Sequence, residues 1–119
     1  MNTELLRGAL DLCVLCLARV EPVYGYALVE RLGARGLPIA AGTVYPTLGR
    51  LRRRGLLEGH EQTGPSGQTR TCYSLTEDGR VALQELAADW AQLGAAVAGL
   101  LASLSEPVGT DVDQEAVDA

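Results

Sequence analysis

Four arginines within five positions form the densest basic cluster of this 119-residue chain. Residues 42–57 read G-T-V-Y-P-T-L-G-R-L-R-R-R-G-L-L, in which Val44, Leu48 and Leu51 recur at the spacing of a core-facing helix. The basic cluster consists of Arg50, Arg52, Arg53 and Arg54. A guanidinium group is a planar fork of donors that matches phosphate oxygens and the guanine edge. The stretch therefore predicts a helix over about 41–54 that lies in a nucleic-acid groove.

The side of this helix opposite the apolar stripe supplies the candidate contacts with DNA. The Thr43 methyl or the Pro46 ring is suited to a thymine methyl, and Arg50 to a guanine edge. Arg53 and Arg54 lie nearer the C-terminal end and are predicted phosphate contacts that set the register. The predicted contacts on this helix are Thr43, Tyr45, Pro46, Thr47, Arg50, Arg53 and Arg54. The alternative is that these arginines are merely solvated charge on a free helix face.

The neighbouring elements predict what positions this helix. Two helices precede it, over about 4–19 with Thr3 as N-cap and over about 24–34. Two strands follow, over 57–62 and 69–75, and they flank a turn-rich, mobile loop. The predicted fold is α+β and mainly α, with a winged helix-turn-helix DNA-binding domain of three helices and a two-stranded wing over residues 1–75.

A long helix follows the wing and carries a heptad of its own. Thr76 is its predicted N-cap, and the helix is predicted over residues 76–105 as a dimerisation helix. Its apolar positions repeat at alternating spacings of three and four: Leu83, Leu86, Trp90, Leu93, Val97, Leu100 and Leu104. Trp90 stands among alanines and glycines, which favours either a core position or a slot for a planar ligand. The acidic, aperiodic residues 106–119 are predicted to be disordered.

The distribution of charge says more than the net charge of −5. Residues 1–80 contain all ten arginines and eight acidic residues, whereas residues 81–119 contain seven acidic residues and no basic ones. The basic balance is therefore confined to the part that holds the arginine helix. The first 20 residues carry charges within their apolar pattern and do not predict a leader or a membrane span. We expect a cytoplasmic protein that does not contact a membrane.

Residues that could support catalysis or metal binding are few. Cys13 and Cys16 form a C-x-x-C, for which the alternatives are buried packing and a redox or metal role. His60 and Cys72 are predicted to face each other across the hairpin, as a coincidence of register or as part of a zinc site. No phosphate loop or nucleophile–base pair occurs, so we predict no enzyme activity, no cofactor and no resident metal.

Two motifs resemble those of the PadR family of transcriptional regulators. These are the Y-P-T-L-G-R-L segment within 42–57 and C-Y-S-L-T-E-D-G-R at 72–80, supported by Tyr24-Gly25-Tyr26 at the start of the second helix. The resemblance covers about residues 5–104. The short length of the chain, with a single C-terminal helix, resembles the smaller PadR subfamily.

The resemblance implies a homodimeric repressor that binds double-stranded DNA at an inverted-repeat operator. It also implies groove contacts by Thr43, Tyr45, Pro46 and Arg50, and a basic contact by Arg70 on the wing. The residues that shape the wing are Gly64, Gly67 and Gln68. Trp90 matches the tryptophan with which some members bind a planar hydrophobic or cationic effector. Ala40 departs from the family, which often has a serine or asparagine cap there, and the wing has fewer basic residues than usual.

The sequence is also compatible with two other functions. The acidic C-terminal part and the thinly charged wing are compatible with a winged-helix protein-interaction module that does not bind DNA. A drug-sequestering dimer is a further alternative, which would bind ligand but have no operator.

Overall fold

A computed structural model describes residues 1–105, which form four helices and a three-stranded antiparallel sheet. The predicted tail over 106–119 lies outside the described residues. The helices are α1 (Thr3–Val20), α2 (Gly25–Ala34), α3 (Ala41–Arg53) and α4 (Glu77–Ser103). The strands are β1 (Val23–Tyr24), β2 (Leu57–Thr63) and β3 (Thr69–Leu75), in the order β1-β3-β2. This is the predicted winged helix-turn-helix with one additional strand, β1.

The ends of the helices follow from local chemistry. Asn2, and not the predicted Thr3, caps α1, because its side-chain oxygen accepts a hydrogen bond from the Leu5 amide at 2.9 Å. Gly36 follows α2 with a φ of 82°, a conformation that glycine adopts without a steric penalty. Ala40 precedes α3 without a side-chain cap, as its residue type predicts.

The wing is a regular hairpin. Strands β2 and β3 pair continuously from Leu57↔Leu75 to Thr63↔Thr69, so β2 extends one residue beyond its predicted end. Between them the backbone turns at Gly67, whose φ is 87°. The amide of Gly64 donates to the Gln68 carbonyl at 2.6 Å, so the predicted mobile loop is closed by hydrogen bonding.

The hydrophobic core lies where α1, α2 and α3 meet the base of the wing. Its fully buried side chains include Val44, Leu48 and Leu51, as the apolar stripe predicted. The remaining large, fully buried side chains come from α1, α2 and β1: Val14, Leu15, Val23, Leu28 and Leu32. On α1 the buried stripe runs through Val14 and Leu15, so the predicted core position Cys13 is only half-buried. Burying these side chains is the main favourable term that holds α3 in place.

Helix α4 begins on this core. Thr76 caps it as predicted, because its hydroxyl accepts from the Gly79 amide at 3.0 Å and donates to the Gly55 carbonyl at 2.7 Å. Leu83 and Leu86 pack against the core of their own chain. Both leucines stay half-buried there, so their part in a dimer interface stays a prediction. The first compact unit of the chain spans Met1–Leu86 and so includes the start of α4.

Gly79 allows α4 to approach the backbone of residue 56. A Cβ at this position would overlap the Leu56 carbonyl oxygen and lie 2.7 Å from Leu75 Cδ1. We expect Gly79→Ala to lower the free energy of unfolding by about 1–3 kcal/mol, as overpacking of a closed site does. Urea unfolding at fixed protein concentration measures this. Gly33→Ala is the control, since nothing lies within 4 Å of its added Cβ and alanine favours the helix. Equal effects of the two substitutions would contradict the proposed role of Gly79.

The second unit of the chain begins at Ala87, within α4. Its described residues present an apolar stripe that no other part of residues 1–105 covers. Trp90 is 49 % exposed, Val97 42 % and Leu100 70 %. Leu93 and Leu104 continue the stripe and are also exposed. The remaining five predicted dimerisation residues are therefore available to a partner.

Helix α4 also has the length and composition of a membrane span. An 18-residue window in it has a mean hydropathy of 1.2, and none of that window is buried. Most of its large exposed apolar residues, however, follow a heptad stripe, with Leu101 beside it, whereas the opposite side carries small residues such as Ala95 and Ala102. This arrangement of the large side chains is that of a helix that packs against a partner helix.

Candidate nucleic-acid interface

Helix α3 presents a well-defined outer face. Because Val44, Leu48 and Leu51 are fully buried, the residues on the opposite side are held outward. Pro46 and Arg53 are exposed, and Tyr45 is 47 % exposed. This helix has no acidic residue, and its last turn holds Arg50, Arg52 and Arg53. The outer face therefore combines short apolar and hydroxyl groups near the start of α3 with positive charge near its end.

Thr47 does not belong to this face. It is only 5 % exposed, and its hydroxyl donates to the Thr43 carbonyl one turn earlier at 2.9 Å. The predicted DNA contact by Thr47 is thus wrong, because the side chain lies between the core and the helix backbone. Thr43 itself is half-buried and remains at the edge of the outer face.

Arg50 is tied to α1 by a bidentate ion pair. Its Nη1 donates to Asp11 Oδ2 at 2.9 Å, and its Nη2 donates to Asp11 Oδ1 at 2.8 Å. These hydrogen bonds raise the pKa of Arg50. The group nevertheless stays 45 % exposed. Since the carboxylate uses one hydrogen on each terminal nitrogen, Nε–H and the outer hydrogens remain free to donate.

Two of the other three arginines at this end of α3, Arg52 and Arg54, differ in their contacts. Arg54 Nη1 lies 3.8 Å from Asp11 Oδ2, a long and largely exposed ion pair. Arg52 lies over Gly59 of β2, where an added Cβ would be 2.7 Å from the guanidinium carbon, and its Nη2 donates to the Gly59 carbonyl at 3.3 Å. Arg52 therefore connects α3 to the wing, which agrees with its absence from the predicted contacts.

Tyr45 packs against the start of α2. A Cβ at Gly25 would overlap the Tyr45 ring, whose Cδ1 would lie 3.0 Å away. Glycine at the first residue of α2 thus lets the aromatic ring lie directly on the backbone of that helix. This contact fixes the ring at the junction of α2 and α3, while almost half of Tyr45 stays exposed.

The predicted wing arginine is folded back onto α2 rather than extended from the wing tip. The Arg70 guanidinium carbon lies 4.5 Å from the centroid of the Tyr24 ring and 5.9 Å from that of Tyr26. Its Nη1 donates to the Tyr26 hydroxyl at 2.9 Å, and the two rings stack with centroids 5.7 Å apart. The Tyr24 hydroxyl in turn donates to the side chain of Gln62.

The tip of the wing carries its predicted residues in a closed turn. The Gln68 side chain lies over Gly64 and accepts from the Ser66 amide at 3.2 Å. Gly64 is buried under it, whereas Gly67 and Gln68 are exposed. The tip therefore offers polar groups but no positive charge.

Most of the predicted DNA contacts on α3 thus lie on its outer face. The residues that hold the predicted arginines in place were not predicted from the sequence. Asp11, Tyr24 and Tyr26 were not predicted as part of the interface. For Tyr24 and Tyr26 the Tyr-Gly-Tyr motif was a usable signal. Asp11 gave none, because its pairing with Arg50 spans 39 positions in sequence.

The candidate redox and metal residues form no site in the described part of the chain. Burial raises the pKa of both Cys13 and Cys16, and for Cys13 the neighbouring Cys16 raises it further. Both thiols are therefore held protonated at neutral pH, which disfavours nucleophilic or ligand roles. His60 and Cys72 do face each other in the register, as predicted. Within residues 1–105, no group of three or more potential ligands could hold a metal ion.

Comparison with known proteins agrees with this architecture. The family model described as the transcriptional regulator PadR-like family matches residues 14–85, which is more than half of the chain. This chain belongs to the PadR-like family.

The relatives of this PadR-like chain include both regulators and solved structures. It is 40 % identical over 82 residues to the transcriptional regulator Rv3488 of Mycobacterium tuberculosis, spanning 69 % of this chain and 76 % of the relative. A PadR family transcriptional regulator from Eggerthella lenta is 44 % identical, with a TM-score of 0.76 over 82 % of this chain and 86 % of the other. Bacillus subtilis PadR in complex with operator DNA shares the fold, with 20 % identity and a TM-score of 0.61 over 65 % of this chain and 45 % of that chain.

Proposed function

We propose that this PadR-family transcriptional regulator acts as a cytoplasmic homodimer that binds a specific inverted-repeat operator in double-stranded DNA. The observation that carries this proposal is the outer face of α3, where exposed Pro46, Tyr45 and Arg53 stand opposite a fully buried stripe. A helix so presented, with a wing beside it, has the geometry of a recognition helix in the major groove.

The side chains of α3 divide into two groups by chemistry and by position. Thr43, Tyr45 and Pro46 lie near the start of the helix and would contact base edges. Arg50, braced by Asp11, would donate to a base edge or to the adjacent backbone through the hydrogens that Asp11 leaves free. Arg53 and Arg54 would contact phosphates and set the register.

The dimer would form through the exposed stripe of α4. Trp90, Leu93, Val97, Leu100 and Leu104 are spaced as alternating core positions of a paired helix, and within residues 1–105 nothing covers them. Trp90 and its mate in the second subunit would then enclose a planar hydrophobic or cationic effector that releases the repressor. Quenching of the indole fluorescence by such compounds tests the effector site, and its absence across a broad panel would exclude it.

The relatives support the proposal of DNA binding but do not identify the operator sequence. Rv3488 is a transcriptional regulator, and Bacillus subtilis PadR is described in complex with operator DNA. Because that PadR shares the fold at low identity, its DNA contacts do not transfer residue by residue.

We expect Arg53→Ala to weaken binding to every duplex by a similar factor. Loss of one phosphate contact should also flatten the plot of log affinity against log salt by about one unit. Fluorescence anisotropy with the chain's own upstream DNA and with an unrelated duplex measures both effects.

Arg35→Ala is the matched control, since Arg35 lies at the C-terminal end of α2 and carries the same charge. If the two variants lose affinity equally, net charge rather than a contact would be responsible. If the unaltered protein binds neither duplex, the winged-helix unit would instead be a protein-interaction module, which the acidic C-terminal part and the thinly charged wing favour.

A further inference from the structure

All four tyrosines of this chain line one cleft. The cleft has a volume of about 290 Å³ and lies between the start of α2, helix α3 and strand β3. Tyr24 and Tyr26 come from the α2 side, Tyr45 from α3 and Tyr73 from β3. Since the Tyr24 hydroxyl donates to Gln62, the hydroxyls of the other three tyrosines are the candidate donors beside the positive charge of Arg70.

Arg70 is the only charged residue among those that line this cleft. The stacked rings of Tyr24 and Tyr26 hold its guanidinium in place. Arg70 Nε is buried and has no hydrogen-bond partner within residues 1–105. Because the Tyr26 hydroxyl accepts from Arg70, its own proton is left to donate to an acceptor in the cleft. The lining thus offers donors and positive charge, which suits an anion.

The backbone at the start of α2 adds to the same preference. Gly25, the first residue of this ten-residue helix, lines the cleft, and Tyr24 precedes it as an N-cap whose side chain makes no capping hydrogen bond. The first amides of a helix carry partial positive charge and lack partners within the helix. These amides add to the positive potential of Arg70, and the tyrosine hydroxyls and Arg70 supply further hydrogen-bond donors.

We propose that this cleft binds one backbone phosphate of the DNA, between the recognition helix and the wing. The proposal rests on the DNA-binding function above and deepens it, since it assigns Arg70 to the backbone rather than to bases. An arginine drawn back onto two tyrosine rings does not reach outward from the wing tip. The hydroxyls of Tyr26, Tyr45 and Tyr73 and the guanidinium of Arg70 would surround the phosphate oxygens.

The test uses the full chain with two fluorescein-labelled 30-base-pair duplexes, one from its own upstream region and one of random sequence. Arg70→Gln should weaken binding to both by about tenfold and flatten the salt dependence by about 0.9 unit, as expected for one lost phosphate contact. Tyr26→Phe keeps the ring stack but removes the hydroxyl, so affinity should fall about threefold with the salt dependence unchanged. Arg35→Gln is the charge-matched control and should change the slope much less.

A titration with inorganic phosphate tests whether the cleft binds a backbone phosphate of DNA or a free phosphate ion. In ¹H–¹⁵N spectra, millimolar phosphate should shift the Arg70 Nε–H and Gly25 amide signals of the unaltered chain. If phosphate shifts these signals but Arg70→Gln leaves the DNA salt dependence unchanged, the cleft is a free-anion site and the proposal is overturned. An affinity loss confined to one duplex would also overturn it. If the unaltered chain binds neither duplex, both this assignment and the proposed function fail.

Discussion

We expect Val97→Asp to convert the protein into a monomer and to lower its affinity for a two-site operator by about 10²–10⁴-fold. Val97 lies at the centre of the exposed α4 stripe, and a carboxylate there would be desolvated on pairing. Two linked recognition helices gain affinity because the second contact becomes intramolecular, so separation of the subunits loses that gain. Light scattering measures the mass, and anisotropy with a two-half-site duplex measures the affinity.

Ala95→Asp provides the matched control for this experiment. It introduces the same charge into α4, two positions away, but lies on the side of the heptad opposite the apolar stripe. The control should remain dimeric, and both variants should retain the helix content of the unaltered chain by circular dichroism. A dimeric Val97→Asp variant, or a monomeric Ala95→Asp variant, would show that the stripe is not the dimer interface.

We expect Asp11→Asn to lower the discrimination between operator and random DNA while it raises the affinity for random DNA. The carboxylate fixes the Arg50 guanidinium through two hydrogen bonds, so its loss should cost about tenfold in discrimination between operator and random DNA. Removal of a negative charge beside Arg50 and Arg54 should at the same time strengthen binding to random DNA. The measurement is the ratio of the two affinities at several salt concentrations.

The control for Asp11→Asn is Glu21→Gln. Glu21 forms a comparable exposed ion pair with Arg31, at 2.5 Å, and its substitution removes the same charge. It should leave the affinity ratio unchanged. If Asp11→Asn strengthens binding to both duplexes equally, Asp11 only repels DNA and does not position Arg50.

Local signals in the sequence predicted most of the fold. The stripe of Val44, Leu48 and Leu51 predicted the buried side of α3, and Thr76 predicted the start of α4. Such features depend on residues a few positions apart, so a single sequence reveals them. Strand β1 was missed because it is two residues long and exists only through its pairing with β3.

The candidate site was predicted in its residue types but less well in its geometry. Thr47 was counted among the DNA contacts although helical spacing sets it only about 70° from the core direction, and its hydroxyl is satisfied by the Thr43 carbonyl. The contacts of Arg50 and Arg70 join elements about 40 positions apart in sequence. Spacing along one chain carries no information about such contacts, and only the packed structure shows them.

In the proposed complex, two α3 helices carried by one dimer enter successive major grooves of a duplex. Hydroxyl-radical footprinting of the full chain on its own upstream DNA tests this most directly. We expect two protected patches related by two-fold symmetry, with centres about one helical turn, 34–36 Å, apart. A single protected patch, or uniform protection that no competitor sequence distinguishes, would contradict it.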